Sequence, residues 1–106
     1  MPLYRPKPFS KRDKIYRITC IATNTVYIGQ TTDIMRRIRE HQSHLKHNRH
    51  TNAQMQLDYN THGEESFVFE VIAHTRIGCT SIEERECIYQ HRANGIPLYN
   101  SILKKQ

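Results

Sequence analysis

Runs of β-branched and aromatic residues predict three strands in this chain. Residues 15–21 and 25–29 form the first two runs, and the turn-forming pair Thr23 and Asn24 lies between them. Gly29 ends the second run, at a position typical of a close approach to the backbone. Residues 66–73 are apolar at nearly every position. We therefore expect the third strand to be buried on much of both faces.

A helical spacing of hydrophobic residues follows the second strand. Thr31, Thr32 or Asp33 is expected to cap a helix that runs to about residue 45. Arg37 and His41 lie one turn apart at the edge of its apolar stripe, so Arg37 is expected to point toward the sheet rather than into water. The stripe itself consists of Ile34, Ile38 and Leu45.

Two more helices are predicted from caps and stop signals. A short helix is expected to begin after Thr51 and to end at residues 62–63. A longer one is expected to run over residues 82–93 and to stop at Gly95. Ser81 and Glu84 have the spacing of a capping box at its start. The inward stripe of the longer helix is expected to contain Ile82, Tyr89 and Ala93.

One carboxylate of this last helix shares the inward stripe. By helical phase Glu86 lies on the packing face, whereas Glu83 and Glu84 point away from it. Burying an unpaired carboxylate is strongly unfavourable, so Glu86 is expected to meet a metal ion or a basic side chain. In the second case it would contribute to stability rather than to activity, through an ion pair with Arg85, Arg92 or Lys14.

Composition restricts the chain to one domain with an uneven charge. The 106 residues include 16 Lys plus Arg and 10 Asp plus Glu. Residues 1–50 hold 11 of the basic and 3 of the acidic side chains, which favours a polyanionic partner. The basic residues are dispersed over several elements, so nucleic acid is favoured over a membrane surface. A solvated basic surface without a ligand is the alternative.

The first twelve residues differ from the rest of the chain. They carry three of the four prolines and four basic side chains without periodicity, which predicts an extended basic arm over residues 1–12 and a folded domain over residues 13–106. No apolar run is long enough for a membrane span. The odd number of cysteines is typical of free thiols in a reducing compartment, so we expect a cytoplasmic protein.

The candidate residues together suit phosphodiester hydrolysis. A tyrosine can take a proton, an arginine can hold a phosphate oxygen, and a carboxylate can hold one divalent cation. The order of the motifs resembles the GIY-YIG nuclease superfamily, most closely the catalytic domain of phage intron-encoded homing endonucleases. The resemblance extends from Lys14 to Asn100. Its two signatures correspond to Lys14-Ile15-Tyr16, where lysine replaces the first glycine, and to Tyr27-Ile28-Gly29.

This resemblance implies a small α/β (α+β) domain in which a three-stranded antiparallel sheet is flanked by about three helices. It also implies a divalent-metal-dependent DNA endonuclease. Tyr16 would be the general base, assisted by His41. Tyr27 would position phosphate or water, Arg37 would stabilise the transition state, and Glu86 would hold Mg²⁺ or Mn²⁺. The residues expected to contact DNA or phosphate are Lys14, Gly29, His50 and Asn100.

The expected substrate is double-stranded, single-stranded or branched DNA, and the sequence leaves the oligomeric state open. A non-catalytic nucleic-acid-binding module of the same fold is one alternative. An RNA-directed nuclease is the other.

Overall fold

A computed structural model describes residues 14–74 and 80–100. The predicted arm and Cys79 lie outside the described residues. The elements in chain order are β1 (Lys14–Cys20), β2 (Thr25–Thr31), α1 (Ile34–Lys46), α2 (Ala53–His62), a short 3₁₀ turn (Glu64–Ser66), β3 (Phe67–His74) and α3 (Thr80–Ala93).

The strands form an antiparallel sheet in the order β2-β1-β3, so the predicted fold class is confirmed. In the β1–β2 hairpin Tyr16 lies opposite Gly29, and Ile18 lies opposite Tyr27. The register between β1 and β3 shifts between Ile15 and Tyr16, whose partners are Ala73 and Val71. The residue between these partners forms a bulge in β3.

Side chains of β1 divide the hydrophobic core between the two faces of the sheet. Tyr16, Ile18 and Cys20 pack in one cluster with Leu45 of α1 and Met55 of α2. The other cluster contains Ile15, Val26, Ile28 and Ile88. Because successive side chains of a strand point to opposite faces, α1 and α2 cover one face and α3 covers the other.

The strand β3 is less buried than its sequence predicts. Val68 and Val71 are 40% and 37% exposed, and no residue of β3 is fully buried. Because β1 occupies the centre of the sheet, β3 forms an edge within the described part of the chain. Its apolar character reflects half-buried contacts with both clusters, through Phe67 and Phe69 on one face and Ile72 and Ala73 on the other.

Of the three expected helix starts, one is confirmed and two are corrected. The side chain of Asp33 caps α1 by accepting a hydrogen bond from the Arg36 backbone N–H, as one alternative predicted. Asn52, not Thr51, caps α2. Ser81 lies inside α3, which begins at Thr80, so it is not an N-cap residue. None of the helices in the described ranges is long and apolar enough to cross a membrane.

The segment after α3 returns to the outer edge of β2. The Val26 N–H donates to the Pro97 carbonyl, and the Tyr99 N–H donates to the Val26 carbonyl. Tyr99 is buried, and its hydroxyl donates to the Asp58 carboxylate at 2.5 Å. These bonds fix residues 97–99 beside the second signature.

Gly29 is required by the aromatic ring that lies over it. A Cβ atom at this position would overlap the Tyr16 ring, including its hydroxyl oxygen. The ring is 2% exposed and is packed in the α1–α2 core cluster, so it has little freedom to move aside. The predicted close approach to Gly29 is therefore an approach by Tyr16.

Gly29→Ala should destabilise the fold by about 1–3 kcal/mol, the usual range for inserting a methyl group into a tightly packed position. Urea unfolding measures the loss. In a Tyr16→Ala background the same substitution should cost little, because the ring that it would meet is gone. An equal cost in both backgrounds would contradict the contact.

Candidate active site

Five of the predicted site residues line a cleft of about 520 Å³ at the edge of the sheet. Its walls come from β2, α1, the loop before α2, α3 and the C-terminal segment. The lining residues are Tyr27, Arg37, His41, His44, His50, Thr51, Asn52, Glu84 and Asn100. A groove of about 600 Å³ lies against the opposite side of α1 and is lined by Gln42, Lys46 and His47 among others. It contains none of the predicted site residues.

A row of hydrogen-bonded side chains leads from the core into this cleft. The Tyr16 hydroxyl lies 2.8 Å from Nε2 of His41. Nδ1 of His41 lies 2.8 Å from Nε2 of His50, and the two imidazoles are stacked with ring centroids 5.0 Å apart. The backbone N–H of Asn52 donates to Nδ1 of His50 at 3.0 Å.

Burial dominates the protonation of the two signature tyrosines. It raises the pKa of Tyr16 and of Tyr27 above the ordinary value, because the anionic form is poorly solvated there. The positive charge of the Arg37 guanidinium opposes this effect at both hydroxyls. Arg37 also forms a 2.8 Å ion pair with Glu40 on its own helix. The guanidinium is thus held beside both phenols.

His41 is uncharged at neutral pH. Burial lowers its pKa from 6.5 to about 3, and the positive charge of Arg37 acts in the same direction. With 2% of its surface exposed, the ring is buried between Tyr16 and His50.

The carboxylate that reaches the cleft is Glu84. Its Oε1 accepts a hydrogen bond from Nε2 of Gln30 at 3.2 Å, and burial raises its pKa. Glu86 is exposed on the outer side of α3, so the expectation that Glu86 faces the site is wrong. Ile82 and Tyr89, which defined the predicted inward stripe, are 66% and 54% exposed.

The error came from the choice of helical phase. Ile88 of α3 is buried, and Glu84 precedes it by four residues, so the two share one face. Cys87 and His91 are half-buried on this face. A phase set by Ile88 instead of Ile82 and Tyr89 would have selected Glu84 from the sequence.

Comparison with known proteins is consistent with this geometry. A family model described as the GIY-YIG catalytic domain matches residues 14–96. The chain belongs to the GIY-YIG family. The structure is similar to the catalytic domain of the homing endonuclease I-TevI, with a TM-score of 0.64 and 25% sequence identity over 78% of this chain and 89% of that one. A mutant of the intron endonuclease I-TevI catalytic domain aligns with a TM-score of 0.63 and the same identity, over 78% of this chain and 84% of that chain. Curated protein sequences gave no match.

Three residues of the GIY-YIG domain have different contacts from those predicted. Gly29 is buried under Tyr16, so it does not present its backbone to phosphate. The amide of Asn100 donates to and accepts from the Ile28 backbone, at 2.8 and 2.9 Å, and therefore holds the edge of β2. Both ring nitrogens of His50 are occupied by protein partners. These residues support the site rather than bind phosphate.

Lys14 is half-exposed at the first position of β1, between Thr31 and His74 of the neighbouring strands. Its predicted contact with phosphate and its predicted effect on Tyr16 stay predictions. Asn52 and His44 also line the cleft, and Gln30 holds Glu84. The sequence did not identify these three residues, because none belongs to a motif and each is placed by tertiary contacts.

The GIY-YIG cleft fits a cation held by one protein carboxylate. Within residues 14–74 and 80–100 there is no group of three or more His, Cys, Asp and Glu side chains that could bind a metal ion together. Mg²⁺ keeps several water ligands and often binds through one or two carboxylates together with substrate phosphate. A half-buried carboxylate in a polar cleft, as at Glu84, suits this mode of binding.

The low pKa of His41 predicts acid sensitivity of the fold. Between about pH 3 and 6.5 the unfolded chain binds a proton at this residue that the folded chain does not. Stability should therefore be full above pH 6.5 and fall as the pH decreases, by at most about 1.4 kcal/mol per pH unit from this group. Urea unfolding at several pH values should give a shallower dependence for His41→Gln than for the parent. His62→Gln, at an exposed position, is the control, and an unchanged slope in His41→Gln would contradict the assignment.

Proposed function

We propose that this GIY-YIG domain is a divalent-metal-dependent endonuclease that hydrolyses DNA phosphodiester bonds. One observation carries the proposal. Arg37 of α1 and the half-buried carboxylate of α3 border the same open cleft. The buried hydroxyl of Tyr16, from β1, lies 2.8 Å from His41 in the wall of that cleft. These are the groups required to accept a proton, to stabilise negative charge on phosphate and to hold a cation.

Tyr16 is the proposed general base for the attacking water. Burial makes its hydroxyl a weak acid, so the anionic form needs hydrogen-bond donors and positive charge around its oxygen. His41 lies at hydrogen-bond distance, and the Arg37 charge lowers the pKa of this hydroxyl. Both groups therefore favour the deprotonated phenol that takes a proton from water.

Arg37 and Tyr27 act on the scissile phosphate in this scheme. The guanidinium carries planar donors that match two phosphate oxygens, so it stabilises the charge that develops during attack. The Tyr27 hydroxyl, on the wall of the same cleft, positions the phosphate or the water. Glu84 takes the role expected of Glu86 and would bind Mg²⁺ or Mn²⁺. When bound, the cation would supply Lewis-acid stabilisation of the leaving 3′ oxygen.

Exposed basic side chains of the domain suit a polyanion. Arg39, Lys46 and Arg49 are exposed on α1 and the loop that follows it, and phosphate contacts of this kind supply affinity without sequence preference. The basic arm over residues 1–12 and Lys14 are proposed to add to this contact. Cys20 and Cys87 are free, in keeping with the proposed cytoplasmic location.

Cleavage assays with the purified chain test the function. Plasmid, linear duplex, single-stranded and branched DNA, with an RNA of matched sequence, are incubated with Mg²⁺, with Mn²⁺ and with a chelator. The proposal predicts metal-dependent cleavage of at least one DNA form and slower cleavage of RNA. Cleavage of RNA alone would support the RNA-directed alternative. Binding to DNA without cleavage of any substrate would support the non-catalytic module.

Glu84→Gln should abolish metal-dependent cleavage but leave DNA binding largely intact, because affinity for phosphate does not depend on a carboxylate. Glu86→Gln is the matched control, since it makes the same chemical change two residues away on the exposed side of α3. Its single-turnover rate should equal that of the parent. Loss of activity in the Glu86 variant with retention in the Glu84 variant would reverse the assignment.

Arg37→Lys should reduce the rate far more than the affinity, because lysine keeps the charge but loses the planar fork. Loss of a preorganised transition-state contact typically costs ~10²–10³ in rate. Single-turnover cleavage at saturating enzyme separates this effect from binding. Arg39→Lys, on the exposed side of α1, is the control. Near-parental cleavage by Arg37→Lys at saturation would make Arg37 a binding residue only.

A further inference from the structure

We propose that His50 is a positioning residue that fixes His41 in the tautomer with its proton on Nε2. In this form His41 donates a hydrogen bond to the Tyr16 oxygen and cannot accept the Tyr16 proton. The catalytic consequence of this arrangement rests on the proposed function. The hydrogen-bond direction rests on the geometry alone.

The direction of the hydrogen bonds is set at the Asn52 end of the row. The Asn52 backbone N–H points at Nδ1 of His50 at 3.0 Å, and a backbone N–H is only a donor. Nδ1 of His50 must therefore carry a lone pair. A protonated His50 would have hydrogens on both ring nitrogens and would direct one of them at this N–H, so the geometry also excludes the cationic form.

His50 is held in this orientation from several sides. Asn52 caps α2 by accepting from the Met55 N–H, and its side-chain amide donates to the Tyr99 carbonyl at 2.9 Å. The His50 backbone N–H donates to Oε1 of Gln56 at 3.0 Å. These bonds fix the backbone on both sides of the imidazole, so a ring that turned over would lose its bond from the Asn52 N–H.

The lone pair on Nδ1 of His50 fixes the proton positions of the next two groups. A neutral His50 without a proton on Nδ1 has its proton on Nε2, which lies 2.8 Å from Nδ1 of His41. Nδ1 of His41 is therefore an acceptor. The single proton of neutral His41 then lies on Nε2, 2.8 Å from the Tyr16 oxygen. The low pKa of His41 agrees with a neutral ring.

All hydrogen bonds in the row therefore run in the same donor-to-acceptor direction, from the Asn52 backbone N–H to the Tyr16 phenol. The Tyr16 oxygen receives a donor from His41, which stabilises its anionic form. Its own hydrogen points elsewhere, and a hydrogen bond from Tyr16 contributes to lowering the pKa of Tyr27. Since both nitrogens of His41 are in use, His41 serves as a donor to the base and is not itself a base for water.

Nitrogen-15 NMR of histidine-labelled parent protein at neutral pH tests the tautomer directly, because protonated and bare ring nitrogens have well-separated shifts. We expect His41 to show a protonated Nε2 and a bare Nδ1, and His50 to show the same pattern. A parent spectrum in which His41 carries its proton on Nδ1 would overturn the proposal, without reference to any variant.

Variants of His50 test its part in fixing the ring. His50→Leu removes the donor, so the His41 signals should shift toward the other tautomer. Single-turnover cleavage should fall ~10–100-fold, the usual loss when a residue that orients a site residue by a hydrogen bond is removed. His50→Gln keeps an N–H donor and should restore the Nε2 tautomer and much of the rate. His62→Gln should change neither. An unaltered His41 tautomer in folded His50→Leu would overturn the role of His50.

Two different results would contradict the endonuclease function and the positioning of His41. If the parent shows the expected tautomers but cuts no nucleic acid, the proposed endonuclease function fails and the positioning of His41 stands. If the parent cuts DNA but His41 is protonated on Nδ1, the function stands and this inference fails.

Discussion

The placement of the Tyr16 side chain is the constraint on which the rest of the structure depends. Its ring lies over Gly29, where a Cβ atom would overlap it, and packs in the core cluster that joins the sheet to α1 and α2. Its hydroxyl reaches His41 at the edge of the cleft. One residue therefore fixes the β1–β2 pairing, contributes to the core and delivers the proposed base. A change that moves the ring changes fold and chemistry together.

The cleft forms where both layers of the domain meet the outer edge of β2. The helix α1, on one face, provides Arg37 and His41, whereas α3, on the other face, provides Glu84. Glu84 is tied to β2 through Gln30, and the C-terminal segment is tied to β2 through Asn100. Because these groups come from elements far apart in the chain, their spacing depends on the sheet rather than on any local motif.

Patterns within short stretches of sequence predicted the structural features that local interactions determine. The hairpin of β1 and β2, the cap at Asp33 and the ends of the last two helices follow from propensity, side-chain capping and glycine, all of which are visible in short stretches of sequence. The phase of α3 failed, since Ile82 and Tyr89 are apolar residues that remain exposed. The bonds of Asn52 to Tyr99, of Gln30 to Glu84 and of Asn100 to Ile28 were beyond prediction, because each joins residues brought together only by the packed fold.

The most direct test of this account is the single-turnover cleavage rate of Tyr16→Phe. Phenylalanine keeps the ring over Gly29 and in the core, so the variant should fold and bind DNA as the parent does. The missing hydroxyl should lower the rate by ~10²–10⁴, the usual contribution of a positioned general base. A folded, DNA-bound Tyr16→Phe that cuts at the parent rate would contradict the central role of this hydroxyl.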